Sequence, residues 1–212
     1  MTSPSSPPAD RLPPGQHEPR GWPVLHYGRV PEFRPDRWDL TVVGATADGR
    51  QHRWSWTQVA GLPRTELTAD LHCVTRFSVL DNVWCGVAAT TLLALAPPHR
   101  HATHVMAWAE SGYSANLPIA DLADGALLAT HHGGAPLTPE RGFPLRLVVP
   151  HRYGYKGPKW LRSLEYLIQD RRGFWESRGY HNRADPWREQ RWSYQEEPGD
   201  GPACASVDPR RR

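Results

Sequence analysis

The sequence predicts a mixed α+β fold, rich in short strands with a few short helices, and three observations carry that expectation. Twenty-two prolines and eighteen glycines punctuate 212 residues that hold only two methionines and four phenylalanines, so turn signals come too often for long helices. Several stretches alternate apolar and polar residues with the period of two that a half-buried strand requires. The most helix-like stretch, residues 88–95 (AATTLLAL), is stopped by the pair Pro97-Pro98, where proline can no longer continue the backbone ladder.

Taken in order, residues 1–20 are rich in Pro and Ser and nearly free of apolar side chains, so a disordered tail is expected. One domain is expected over residues 21–193. Residues 38–43 and 51–56 read as a hairpin around Ala47-Asp48-Gly49, followed by a helical turn at residues 57–60. In residues 66–73, Leu67, Ala69, Leu71 and Cys73 share one strand face, while Glu66, Thr68, Asp70 and His72 share the other. Asp81-Asn82 reads as the turn before a short returning strand at residues 84–87. Further strands are expected at residues 104–109, 126–131, 145–149 and 161–168, and a short helix at residues 119–123. The aromatic-rich residues 174–192 are expected to pack onto the domain, and residues 194–212, with Cys204, to form a second disordered tail.

Composition excludes several classes. A formal charge of +3 is too slight an excess to demand nucleic acid, although it suits a small anionic ligand. Three cysteines, Cys73, Cys85 and Cys204, are an odd number with no zinc spacing, so neither a disulfide scaffold nor a zinc site is expected. With no apolar run of membrane-spanning length and no apolar stretch near Met1, the expectation is a cytoplasmic chain with reduced thiols.

Two stretches carry chemistry. Cys73 stands between His72 and Arg76 at the end of a strand; it is either an inert core thiol or, in an electropositive and accessible setting, a reactive or metal-binding one. On a strand, His72 points away from its neighbour and cannot serve as its base. Residues 151–160 (HRYGYKGPKW) interleave cations with glycines and aromatics, which makes either a solvated basic loop or an anion-binding concavity.

Four stretches together resemble the oxidoreductase molybdopterin-binding domain of the sulfite oxidase family: residues 71–86 (LHCVTRFSVLDNVWCG), 112–122 (GYSANLPIADL), 134–150 (GAPLTPERGFPLRLVVP) and 153–161 (YGYKGPKWL). The resemblance spans residues 22–192 and is closest to the short, stand-alone bacterial sulfite oxidase-like oxidoreductases. It implies the β-rich fold of that family and a molybdenum–molybdopterin cofactor whose one protein ligand matches Cys73, a soft thiolate for a soft-ligand metal. By the same resemblance Tyr113 matches the tyrosine that approaches the metal's oxygen ligand, and Arg76 is a candidate oxyanion contact; with Cys73 these are the implied catalytic residues. Arg146, Gly157 and Lys159 match the strand entry and loop that grip the pterin and its phosphate. His26 and Tyr27 match the N-terminal segment that cradles the pterin, and Arg141 is a polar contact to it. Cys85 is expected to be packing.

The resemblance further implies electron transfer through a separate partner, because this chain shows no haem domain, and oxygen-atom transfer to or from a small sulfur oxyanion or a sulfoxide-type substrate. A monomer that binds neither nucleic acid nor membrane is expected. Two other classes compete. A non-enzymatic module could bind an anion, a carbohydrate or RNA through ten tryptophans and the basic loops. A thiol enzyme could pair Cys73 with one of eleven histidines.

Overall fold

The computed structural model describes residues 11–202. Among them ten strands form two five-stranded sheets, joined by three short helices and single helical turns. The first sheet runs β2 (His52–Ser55), β1 (Asp39–Gly44), β10 (Leu161–Leu167), β5 (His104–Ala109), β6 (Ser114–Pro118). Only β1 and β10 pair in parallel, with Val42 opposite Leu164. The second sheet runs β3 (Thr65–His72), β4 (Ser78–Ala88), β7 (Leu127–His132), β8 (Ala135–Pro136), with β9 (Arg146–Val148) also on β7.

The helices form where local signals and tertiary packing agree. Helix α1 (Trp56–Ala60) starts with a capping box, in which Ser55 and Gln58 satisfy each other's backbone N–H groups. Helix α2 (Ala89–Leu95) buries Ala89 and Leu92, and α3 (Ile119–Ala123) buries Leu122. The main core gathers Leu40 and Val42 of β1, Leu92, Val105, Leu117, Leu128 and Leu164, all at most 1% exposed. A second cluster, Trp84, Leu127, Ala129, Leu137 and Val148, takes up Leu67, Ala69 and Leu71 from β3. The alternation expected along that strand therefore sets which face is buried. Because β3 leans on this cluster, the residue after it, Cys73, is delivered to a fixed place.

Two expectations change. The hairpin joining β3 to β4 does not turn at Asp81-Asn82 but at residues 73–77, where the Cys73 N–H donates to Phe77 O at 2.8 Å and the Arg76 N–H to Cys73 O at 3.1 Å. Asp81 instead sits in the left-handed region inside β4, φ 54°, beside a register shift opposite Ala69 and Leu71, with its N–H held by the Asp70 carboxylate at 2.8 Å. The residue that favours a turn makes a bulge here, since both need the same backbone conformation. The second change concerns the expected tails. Within the described residues, Arg11 pairs with Asp70 at 2.7 Å and Asp81 at 2.8 Å, and His17 bridges to Phe77. Near the other end, Glu196 accepts from Arg172 and from the Asn182 N–H at 2.8 Å each. These segments dock through polar contacts, which apolar content does not reveal. Residues 1–10 and 203–212, with Cys204, lie outside the described residues. Among the described residues no helix is long and apolar enough to cross a membrane.

A fully buried ion pair lies under the loop at residues 153–160. Lys156, fully buried, donates to Glu176 Oε1 at 2.6 Å, Asn182 O at 2.7 Å and Asn116 Oδ1 at 3.0 Å. Removing one member of such a pair leaves the other charge uncompensated in the interior. Lys156→Met is expected to destabilise the fold by about 3–5 kcal/mol in chemical denaturation, and Lys156→Met with Glu176→Leu to recover much of that loss. A single variant as stable as the wild type would show that the pair is dispensable.

Candidate active site

One cavity opens between the end of β3, the turn before β6 and the loop at residues 153–160. Cys73, half-buried, lies on its wall, with Sγ 3.0 Å from Thr75 Oγ1. Tyr113 also lines it, placed by the turn at Gly112, where φ is +77°. Its hydroxyl donates to Tyr155 O at 2.5 Å, and burial pushes the phenol well above its ordinary pKa, so the group remains protonated.

A second part of the same wall is cationic. Arg146, on β9, is 5% exposed, lies 5.2 Å above the Trp84 ring and donates to Arg141 O at 3.5 Å, while its Nε has no partner. Burial first, then Arg141, brings its guanidinium down to about 10. Arg141 stacks 3.8 Å from the Trp22 ring and donates to Trp22 O at 2.6 Å and Pro23 O at 3.1 Å. Lys159 donates to Leu25 O and Glu140 O, both at 2.7 Å. Its ammonium is held down to about 7 by burial, then by Arg146 and Arg141. Among the described residues these three cations hydrogen-bond only to backbone carbonyls, and no carboxylate pairs with any of them. Like charges gathered without a counter-charge, one of them with an unmet buried N–H, make a site that an anion would complete.

The same carbonyl contacts fasten the N-terminal arm over the cavity. His26 packs edge-on to Trp160 at 5.4 Å, and Tyr27 lies 4.4 Å from Phe174; both His26 and Tyr27 line the cavity. Gly157 lines it as well, but its N–H is spent on Gly154 O at 3.2 Å, so it does not offer the free donor that a phosphate loop suggests. Its need is steric, since a Cβ there would stand 2.5 Å from Leu147 O.

Of the residues singled out in the sequence, Cys73, Tyr113, His26, Tyr27, Arg141, Arg146, Gly157 and Lys159 thus border one cavity. Arg76 does not. It occupies the left-handed position of the 73–77 turn, φ 76°, which turns its largely exposed guanidinium to Glu189 at 3.5 Å. His72 is buried against Ser78 Oγ at 2.8 Å, as its opposite strand face requires, and the hydrogen-bond partner of Cys73 Sγ is Thr75, with no imidazole attached. Sequence reasoning missed Trp22, Tyr155, Trp175 and Tyr180 on the cavity wall. Trp175 and Tyr180 lie in the segment expected only to pack, and nothing local distinguishes a lining aromatic from a packed one.

Among the described residues no three His, Cys, Asp or Glu side chains gather as a metal site. A metal at Cys73 would therefore draw most of its ligands from a bound organic group. The donor set fits that: one thiol for a soft metal, and a cationic end for a phosphate. Residues 27–175 match the family described as the oxidoreductase molybdopterin-binding domain. The chain belongs to that family, of the sulfite oxidase type. It is similar to the uncharacterized oxidoreductase YuiH of Bacillus subtilis, 45% identical over 87% of this chain and 93% of that protein. Human mitochondrial sulfite oxidase is 29% identical over 71% of this chain, which spans only 33% of it. The crystal structure of the sulfane dehydrogenase SoxCD from Paracoccus pantotrophus shares the fold, with a TM-score of 0.61 at 22% identity, covering 74% of this chain and 46% of that one. Membership makes the protein a molybdopterin oxidoreductase with a molybdenum–molybdopterin cofactor. The alternative of a non-enzymatic binding module is set aside.

Lys159 gives the site a pH signature. Its pKa drops from 10.5 to about 7 on folding, so between those values the folded chain binds fewer protons than the unfolded one, and stability contributed by this group rises with pH. Lys159→Met is expected to flatten that rise in a melting series on cofactor-free protein. Sulfate, which is doubly charged throughout this range, is expected to raise the melting temperature more at about pH 6, where the ammonium is charged, than at about pH 9. Equal shifts at both would remove Lys159 from the anion site.

Proposed function

We propose that the chain holds molybdenum through the Cys73 thiolate, grips the pterin phosphate with Arg141, Arg146 and Lys159, and transfers an oxygen atom to or from a small sulfur oxyanion or sulfoxide-type substrate. The observation that carries this reading is the convergence on a single cavity of one accessible thiol and three cations that pair with no carboxylate among the described residues. The names of two similar proteins, a sulfite oxidase and a sulfane dehydrogenase, favour a sulfur-centred substrate.

The bound cofactor would supply the two-electron and oxygen-transfer chemistry. The chain's own residues do the rest. The cationic wall brings the thiol and the phosphate site to one side of the cavity and neutralises the phosphate. With that charge in place Lys159 returns to its protonated form. Tyr113, kept protonated by burial, can turn its O–H from Tyr155 O toward a substrate oxygen on which charge develops. Trp175, Tyr180 and Tyr27 form an aromatic rim that limits water around the reacting group. Arg76, held by Glu189 on the outer side of the turn, takes no part in substrate binding.

A separate electron partner, a monomeric state and a cytoplasmic setting belong to the same proposal. The free thiols of Cys73 and Cys85 suit a reducing compartment. Protein made in a host able to synthesise the cofactor is expected to carry near-stoichiometric molybdenum by metal analysis, and Cys73→Ser to lose most of it. Tyr113→Phe is expected to keep the metal and lower kcat on the order of 10²-fold. Wild-type protein free of molybdenum and pterin would end this reading.

A further inference from the structure

The turn that carries Cys73 is held from outside itself, by two segments far away in sequence. Gln16 Nε2 donates to Cys73 O at 2.9 Å, and Gln16 Oε1 accepts from Ser78 Oγ at 3.3 Å. Ser78 Oγ, with its one hydrogen so used, accepts from His72 Nδ1 at 2.8 Å. The amide of Gln16 therefore spans both sides of the hairpin mouth, and its orientation is set, because a flipped amide would face Cys73 O with another oxygen. Next along the chain, the His17 N–H donates to Arg76 O at 3.0 Å, and the Ser78 N–H to His17 O at 2.9 Å.

Arg191 grips the same turn from the C-terminal side. It is 2% exposed, donates Nη1 to Val74 O at 2.6 Å and Nη2 to Pro14 O at 3.2 Å, and lies 4.9 Å above the Tyr153 ring. Glu189 steadies it through Nε at 3.2 Å. The three carbonyls of Cys73, Val74 and Arg76 are thus each taken by a donor from residues 16–17 or 191. A hairpin of this size needs no such help to close, since Cys73 and Phe77 already pair. The added bonds tie down the backbone that carries the half-buried Sγ.

We propose that Gln16 and Arg191 are positioning residues for Cys73, and that residues 13–17 act as a strap that presents the thiol to its metal. The proposal rests on the reading of Cys73 as the protein ligand of the cofactor. Its test does not depend on activity. The full chain, made without molybdenum, carries Cys85 as an internal control on β4, away from the strap. Alkylation by iodoacetamide, followed by peptide mass, reads the rates at Cys73 and Cys85 separately in one sample. Gln16→Ala, and Gln16→Glu, which keeps the acceptor toward Ser78 but loses the donor, are each expected to speed labelling of Cys73 about fivefold, the size of one net hydrogen bond. Cys85 is expected to label at its wild-type rate. Arg191→Lys, which keeps the charge but not the two-pronged geometry, is expected to act in the same direction. In cofactor-loaded Gln16→Ala, the thiolate-to-metal absorption band is expected to shift at unchanged molybdenum content. An unmoved Cys73 rate, a rise shared by Cys73 and Cys85, or an unshifted band in the loaded variant would each overturn the strap. If the wild type takes up no molybdenum, the functional reading alone falls, and the labelling contrast still decides whether the strap holds the thiol.

Discussion

The site depends on one buried charge pair. Lys156 and Glu176 meet at 2.6 Å with neither side chain exposed, and a charge so placed is tolerated only when its partner and its remaining hydrogen bonds are all in position. Asn116 of β6 and Asn182 O supply those bonds to Lys156, while Glu176 Oε2 is left without a partner among the described residues, and three regions of the chain are drawn to a single point. The residues flanking Lys156 are then no longer free. Tyr155 offers its carbonyl to Tyr113 and its hydroxyl to His181 O at 2.5 Å, Gly157 presses on Leu147, and Lys159 emerges beside Arg146. The wall around the candidate cofactor site is thus built outward from an ion pair that itself never touches the cavity.

That wall carries the opposite electrostatic logic. Lys156 has its carboxylate inside the protein, whereas Arg141, Arg146 and Lys159 hydrogen-bond only to carbonyls among the described residues; burial lowers all three pKa values, Arg141 further lowers that of Arg146, and both guanidinium groups further lower that of Lys159. Burying like charges opposes folding until an anion arrives. A cofactor bearing a phosphate would turn this repulsion into binding energy, and stability and cofactor capture would then be coupled through the same three side chains. Aromatic faces make the arrangement bearable meanwhile: Trp22 and Trp84 lie under the two guanidinium groups.

Much of the fold was legible in the sequence, and for identifiable reasons. The alternation of Leu67, Ala69 and Leu71 places one face of β3 on the core, and the pair Pro97-Pro98 follows α2. The candidate site was legible through spaced motifs more than through any single residue, since Cys73 alone is compatible with an inert thiol. The misreadings share a cause. Asp81-Asn82 carries turn chemistry, but the register of β3 against β4 converts it into a bulge. Arg76 stands beside the cysteine in sequence, but the left-handed turn sends it away. Residues 11–17 look too polar to order, but they dock through Arg11, Gln16 and a backbone bridge.

The sequence by itself determined the strand pattern, the thiol at a strand's end, the glycine and proline punctuation, and the cation-rich stretch HRYGYKGPKW. These are local properties, set by side-chain periodicity and backbone preference. Only the tertiary structure decided what each charge does. Lys156 and Lys159 belong to the same short loop, and no local rule separates them, yet one is sealed in an ion pair and the other faces a cavity. The difference lies in Glu176 and Asn182 on one side and Leu25 and Glu140 on the other, partners brought in by long-range packing. The value of a buried charge depends on what surrounds it, and its surroundings are assembled only when the distant segments meet.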